Sequence, residues 1–176
     1  MSSRRLPGKV LANVGGRPML AWLVERVRRC RNISAFAIAT SVNRSDDGIA
    51  SLAAELDVPV VRGDLHDVVS RFLSAADQFN AEAFVRLNGD SPLLDPKLID
   101  TAVSLFESGA FDVVTNVHPR SFPKGQSVEV VSMPALRLLA AQTGDLEDRE
   151  HVTRYFYRCA DAFPRASGFN NEFEFS

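Results

Sequence analysis

Between residues 36 and 131 short apolar runs alternate with longer amphipathic segments, and this alternation restricts the chain more than any other feature. Phe36–Thr40, Val58–Val61, Ala83–Leu87, Phe111–Thr115 and Ser127–Val131 are short and rich in apolar or β-branched residues, as buried strands are. The segments between the first four have apolar residues at helical spacing: 47–56, 66–79 (Val68, Val69, Phe72, Ala76) and 96–108. A helix is expected over 18–30, with Pro18 in its first turn, and two more over 134–141 and 147–159. Strand–helix–strand crossovers build a mainly parallel sheet with helices on both faces, a three-layer α/β/α domain. Ligands then bind beyond the carboxyl ends of the strands. The loops 41–47, 62–67 and 88–95 all follow strands and are expected to line one cleft.

At 176 residues the chain reads as a single domain, 1–176. Its net charge of -2 offers no global field for a nucleic acid. Positive charge is nevertheless concentrated before residue 32, which suits a local anion site. Cys30 and Cys159 form no CxxC pair, so neither a disulfide framework nor a metal cluster is expected. No apolar run approaches the roughly 18 residues of a membrane span, and no signal peptide is seen. A cytoplasmic protein is the default expectation.

Five constellations could carry chemistry. Ser2–Lys9 packs Arg4, Arg5 and Lys9 with two serines and Gly8 into one turn. Arginine forks and a lysine point charge can neutralise a polyphosphate, and Gly8 allows close backbone approach. A solvated basic terminus is the plain alternative. Arg86–Asp95 places Asp90 in a Gly-Asp-x-Pro turn directly after a buried strand, where one carboxylate can hold Mg²⁺ together with substrate phosphates. Asp95 with Pro96 reads instead as a helix cap. Arg62, at the end of a strand, is a candidate nucleotide contact, whereas Asp67 and Arg71 could be a surface i,i+4 pair. Glu129, between Val128 and Val130, points away from the core, as a sugar contact or as part of a solvated face. Arg149-Glu150-His151 joins a cation, an anion and an imidazole, though such a histidine is more often a surface or packing residue. No Ser/His/Asp or Cys/His arrangement suggests covalent catalysis.

Ser3-x-Arg5-Leu6-Pro7-Gly8-Lys9 with Gly15-Gly16-Arg17-Pro18-Met19 resembles the signature of the sugar cytidylyltransferases, which make CMP-sialic acid and CMP-KDO. The likeness continues through Arg62-Gly63, Asp67-Val68, Arg86–Pro96 and Arg149–Thr153, and is most similar to the spore coat polysaccharide biosynthesis branch. The resemblance implies a Rossmann-like nucleotide-diphosphosugar transferase fold, CTP as substrate and Mg²⁺ as cofactor. It implies that Ser3, Arg5 and Lys9 hold the triphosphate, with Gly8 in the loop. Asn88 would touch the nucleotide and Asp90 hold the metal, with Arg5, Lys9 and Asp90 catalytic. Glu129, Glu150 and His151 would lie nearer the sugar. Relatives are commonly dimers, so the resemblance extends to a homodimer.

The chain also departs from the family pattern. Relatives begin with a strand and an alanine-arginine pair ahead of the position of Met1. They carry a second metal-binding aspartate near the carboxyl end, and often an aspartate where Ser127 stands. The expected fold therefore lacks its first strand and its C-terminal end. Three functions follow: activation of an acidic sugar by CTP with release of pyrophosphate, for cell-surface polysaccharide; nucleotide or sugar binding without turnover; or a glycosyltransferase, or a nucleotidyltransferase of another base, on the same fold.

Overall fold

The computed structural model describes residues 8–109, 111–159, 162–163 and 166–169. Ser3 and Arg5 lie outside the described residues, as does the strand start expected at 173–175. After a 3₁₀ turn at Lys9–Leu11 come a small hairpin, β1 (Asn13–Val14) and β2 (Arg17–Pro18), and helix α1 (Met19–Val27). Then follow β3 (Ile38–Ser41), α2 (Asp47–Glu55), β4 (Val60–Gly63), α3 (Val68–Gln78), β5 (Ala83–Arg86) and α4 (Pro96–Glu107). The remainder is β6 (Val113–Thr115), β7 (Glu129–Ser132), α5 (Met133–Gln142), α6 (Leu146–Glu150), α7 (Arg154–Arg158) and β8 (Ala166–Gly168).

The α/β class and the strand–helix order are as the sequence predicts. The pairing has more variety. β3 and β4 are parallel, β6 and β8 are parallel, and β7 lies antiparallel between β5 and β6. Side chains alternate across the strands. Val114 and Val130 therefore join a core with α1 and α4, while Val113 and Val131 join a second core with α3, α5 and α7. Both faces are covered, which is why these strands are apolar without a polar alternation.

Caps fix the helices that set up the cleft. The Asp95 carboxylate accepts from Lys97 N at 3.0 Å, with Pro96 opening α4 as expected. Asp67 caps α3, accepting from Ser70 N at 3.0 Å. The same carboxylate receives Nη2 of Arg149 at 2.9 Å, so the expected Asp67–Arg71 pair is replaced by a bridge from α3 to α6. The helix expected over 147–159 is two short helices, broken at His151–Thr153. Val152 is fully buried at the break while His151 stays exposed.

Among the described residues β3 pairs only with β4, and β5 only with β7. Between the remaining edges of β3 and β5 lies a slot of about 620 Å³. Leu20, Leu23 and Val27 of α1, and Phe72 and Ala76 of α3, are among its lining.

Candidate active site

Lys9, the last residue of the basic segment, meets the acidic turn. Nζ of Lys9 forms an ion pair with Oδ2 of Asp90, 81 positions away, and both side chains keep about a third of their surface exposed. Gly8 precedes the 3₁₀ turn at φ 73, a left-handed conformation that favours glycine, and its carbonyl accepts from Leu11 N at 2.9 Å. The acidic turn is pinned from two sides. Arg26 Nε of α1 donates to Pro92 O at 3.1 Å, and the Gln126 amide bonds both Leu93 O and Asp95 N. Asn88 lies within this turn, its carbonyl accepting from Ser91 N at 3.1 Å. Gly89 faces Leu20 and Val10, and a Cβ there would make only ordinary van der Waals contact, 3.6 Å from each.

Beside this pair is a hollow of about 290 Å³ that Gly8, Lys9, Glu150 and His151 share with Thr40 and Ser41 at the end of β3 and Leu65 in the loop after β4. The exposed break after α6 carries Glu150 and His151 to it, with His66 Nδ1 at 3.7 Å from Glu150. Four of the residues predicted from sequence, Gly8, Lys9, Glu150 and His151, thus line one hollow, and Asp90 joins them through Lys9.

Arg62 is placed differently. Its guanidinium holds Ser41 O at 2.8 Å, Asn43 O at 3.0 Å and the Asp47 carboxylate at 2.8 Å, so it braces the loop after β3. Glu129 corrects the reading of a residue turned away from the core. It is 1% exposed, and its carboxylate takes the Arg86 guanidinium on one oxygen and the Tyr157 hydroxyl on the other. Tyr157 also bonds Thr115 at 3.0 Å and stacks on His118. Burial, and then the neighbouring Glu129 charge, push the Tyr157 phenol above its ordinary range.

Ser41 and Asp46 bring the 41–47 loop to the hollow, as expected of a loop at a strand end, whereas Thr40 and Arg71 were not singled out for it from the sequence. The position of Thr40 at a strand's carboxyl end was the available signal. Arg71 gives Nη1 to Leu65 O at 3.1 Å and to Asp64 O; its Nε is buried with no partner among the described residues. Desolvation lowers its affinity for a proton, against the pull of Asp46 and Asp64. Asp46, just ahead of α2, turns its carboxylate inward and is buried. It accepts from Thr40 Oγ1 at 2.9 Å, Ser41 N at 3.0 Å and Ser41 Oγ at 2.6 Å.

Burial raises the Asp46 carboxyl, but favourable interactions, those from Ser41 and Thr40 among them, outweigh it and hold the group well below the usual carboxylate range. A depressed folded-state value means stability that is complete above the unfolded value of about 3.9 and is lost as pH falls through the folded one. Asp46→Asn is therefore expected to cost about 1–3 kcal/mol at pH 7. The gap to the parent narrows below about pH 4, as urea unfolding at pH 7 and pH 3 would register. An equal gap at both values would contradict the ionised network.

A model of the family described as cytidylyltransferase matches residues 1–173. The chain belongs to the cytidylyltransferase family. This cytidylyltransferase-family chain is 33% identical over 163 residues to the spore coat polysaccharide biosynthesis protein SpsF of Bacillus subtilis strain 168, covering 88% of the chain and 65% of that protein. It is 30% identical over 172 residues to the 3-deoxy-manno-octulosonate cytidylyltransferase of Anaeromyxobacter sp. strain Fw109-5, covering 94% of the chain and 62% of that enzyme. A solved cytidylyltransferase from Leptospira borgpetersenii superposes with a TM-score of 0.93 at 31% identity, covering all of this chain and 74% of that one. The chain thus spans just under two thirds of the length of these two curated relatives. None of its described helices is long and apolar enough to cross a membrane.

Proposed function

We propose that this chain carries the nucleotide end of an enzyme that activates a sugar with CTP and releases pyrophosphate. The observation that carries the reading is the Lys9–Asp90 ion pair, which joins the basic and acidic turns beside one hollow. The reaction needs little covalent help from the protein. An oxygen of the sugar attacks the α-phosphorus, its bond to phosphorus forms, and the bond to the pyrophosphate oxygen breaks. Positioning and neutralisation of charge carry most of such a transfer.

Without nucleotide, Lys9 and Asp90 neutralise each other. A metal–triphosphate complex offers each a better partner, since Lys9 can pass to the phosphates and Asp90 to a divalent cation. The residues present fit Mg²⁺, which commonly takes only one or two carboxylates and leaves its other positions to water and phosphate. A bound Mg²⁺ would supply positive charge to the departing pyrophosphate. Gly8 and the backbone of its turn, with Ser3 and Arg5 ahead of it, make the rest of the phosphate grip, and Asn88 contacts the base. Glu150 and His151 stand on the sugar side of the hollow. Arg62 acts by bracing the 41–47 loop, and Glu129 by fixing Arg86, the last residue of the strand that leads into the Asp90 turn.

An acidic sugar is favoured because a relative acts on 3-deoxy-manno-octulosonate and because Arg71 brings an arginine to the hollow. A role in surface polysaccharide synthesis is supported by the name of the Bacillus relative. The test pairs calorimetric titration with a pyrophosphate assay, using CTP, UTP, GTP and ATP in the presence of Mg²⁺. CTP is expected to bind at least about tenfold more tightly than the others, a difference of about 1.4 kcal/mol, and to release pyrophosphate with an acidic sugar. Heat without product would leave a binding module, and no heat with any nucleotide would reject the proposal.

A further inference from the structure

The turn that carries Asp90 is fastened to the sheet at both ends, and one side chain makes the second fastening. At its start the turn continues β5. At its far end the Gln126 amide donates Nε2 to Leu93 O at 2.8 Å and accepts from Asp95 N on Oε1 at 2.9 Å. Between those points the turn bonds to itself, Ser91 N to Asn88 O at 3.1 Å and Leu94 N to Ser91 O at 3.2 Å, and Arg26 adds a tie at Pro92 O. Gln126 is itself firmly based. Asn116, fully buried, donates Nδ2 to Gln126 O at 2.7 Å and accepts from Val128 N on Oδ1 at 2.9 Å. Gln126 N donates to Pro123 O at 3.1 Å, closing a turn in which Gly125 takes φ 92. Three residues on, β7 begins and pairs with β5. Gln126 thus ties the end of the Asp90 turn to the ladder from which the turn departs.

Both bonds of the Gln126 amide go to backbone, and the residue carries no charge. It stands outside the set of residues that line the hollow. Any influence it has there passes through the turn it holds. The two sides of the site differ in how much they need such holding. Mg²⁺ demands near-ideal octahedral geometry, so a carboxylate that ligates it must be held in place. The Lys9 ammonium is a point charge with rotatable donors on a flexible stem and can follow a phosphate through small displacements.

We propose that Gln126 is a positioning residue for the metal side of the site: by clamping Leu93 and Asp95 it holds the Asp90 carboxylate where a divalent cation carried by a nucleoside triphosphate can use it. The proposal rests on the reading of Asp90 as a metal ligand given above. It separates two parts of nucleotide binding. The grip of Lys9 and the Gly8 turn on phosphate is independent of Gln126, whereas the tightening that Mg²⁺ adds depends on it. Outer partners that orient a metal ligand commonly carry a large share of metal affinity.

The test titrates CTP calorimetrically, with and without Mg²⁺, into the parent, Gln126→Met, Asp90→Ala and the double variant. The quantity read is the factor by which Mg²⁺ tightens CTP. Gln126→Met, which keeps the length of the side chain and loses both bonds, is expected to cut that factor by about tenfold, or to abolish a smaller one. CTP binding without metal stays at the parent's value. With Asp90 already replaced, Gln126→Met changes nothing further, because two residues that act through one contact are not additive. Gln126→Asn, whose shorter amide cannot span both partners, serves as a second variant and is expected to act in the same direction. Four results would overturn the proposal: a Mg²⁺ factor equal to the parent's in Gln126→Met, an equal weakening of CTP with and without metal, a further loss in the Asp90→Ala background, or failure of both Gln126 variants to fold. A parent that gains nothing from Mg²⁺ would remove the metal role of Asp90 and this inference together, whereas a parent gain that survives Gln126→Met would remove this inference alone.

Discussion

Replacing Asp90 by alanine is expected to lower the rate of pyrophosphate release from CTP by about a thousandfold, a loss of roughly 4 kcal/mol of transition-state stabilisation. The carboxylate sits in a turn held by Arg26 and Gln126, so its removal leaves the turn in place and takes away only charge. The variant should unfold at nearly the parent's urea concentration. Lys9, freed of its partner, still grips phosphate, so nucleotide binding without metal should persist or strengthen while the gain from added Mg²⁺ disappears. Lys9→Ala acts from the other side and weakens nucleotide binding with or without metal. Turnover equal to the parent in Asp90→Ala would remove the acidic turn from the mechanism. An unchanged response to Mg²⁺ in calorimetry would remove it from metal binding.

The largest effect on stability is expected at Glu129. Its side chain is 2% exposed and that of Arg86 21%, and Tyr157 completes the carboxylate's bonding. Removing one member of a buried pair leaves the other charge without compensation, which costs about 3–5 kcal/mol. The partial exposure of Arg86 places Glu129→Ala near the lower end, about 3 kcal/mol in urea unfolding. Glu129→Gln keeps the shape and one acceptor, so about half that loss is expected. The double replacement Arg86→Met with Glu129→Leu should recover most of it, because an apolar pair of similar volume leaves no charge to satisfy. A cost under about 1 kcal/mol for Glu129→Ala would mean that the pair is solvated.

These two residues also show where the sequence is legible. Lys9 and Asp90 stand out because each lies in a Gly/Pro turn next to an apolar run, and a charge held in such a turn beside a strand end is distinctive in one dimension. Glu129 misleads for a physical reason. In a strand between Val128 and Val130 it alternates as a solvent-facing residue would, but both faces of this sheet are covered, so alternation no longer separates inside from outside. What shelters its charge is Arg86 on a strand 43 positions earlier, and no local pattern reports a partner at that distance. The break in the 147–159 segment was hidden likewise. Val152, Tyr155 and Phe156 are spaced as on one helix and are indeed buried, while the backbone turns at His151, at φ -112 and ψ 64. The antiparallel course of β7 was equally out of reach, because a buried strand has the same composition in either direction.

That course of β7 has a temporal side. The strand leading into the Asp90 turn gains its described partner only from residues 129–132, so most of the polypeptide must emerge from the ribosome before that ladder can close. The β3–β4 pair, by contrast, is within reach once residue 63 has been made. Nascent chains should therefore acquire the Lys9 side of the site in an environment already partly ordered, and the Asp90 side late. A nucleotide present during synthesis would meet its two grips in that order.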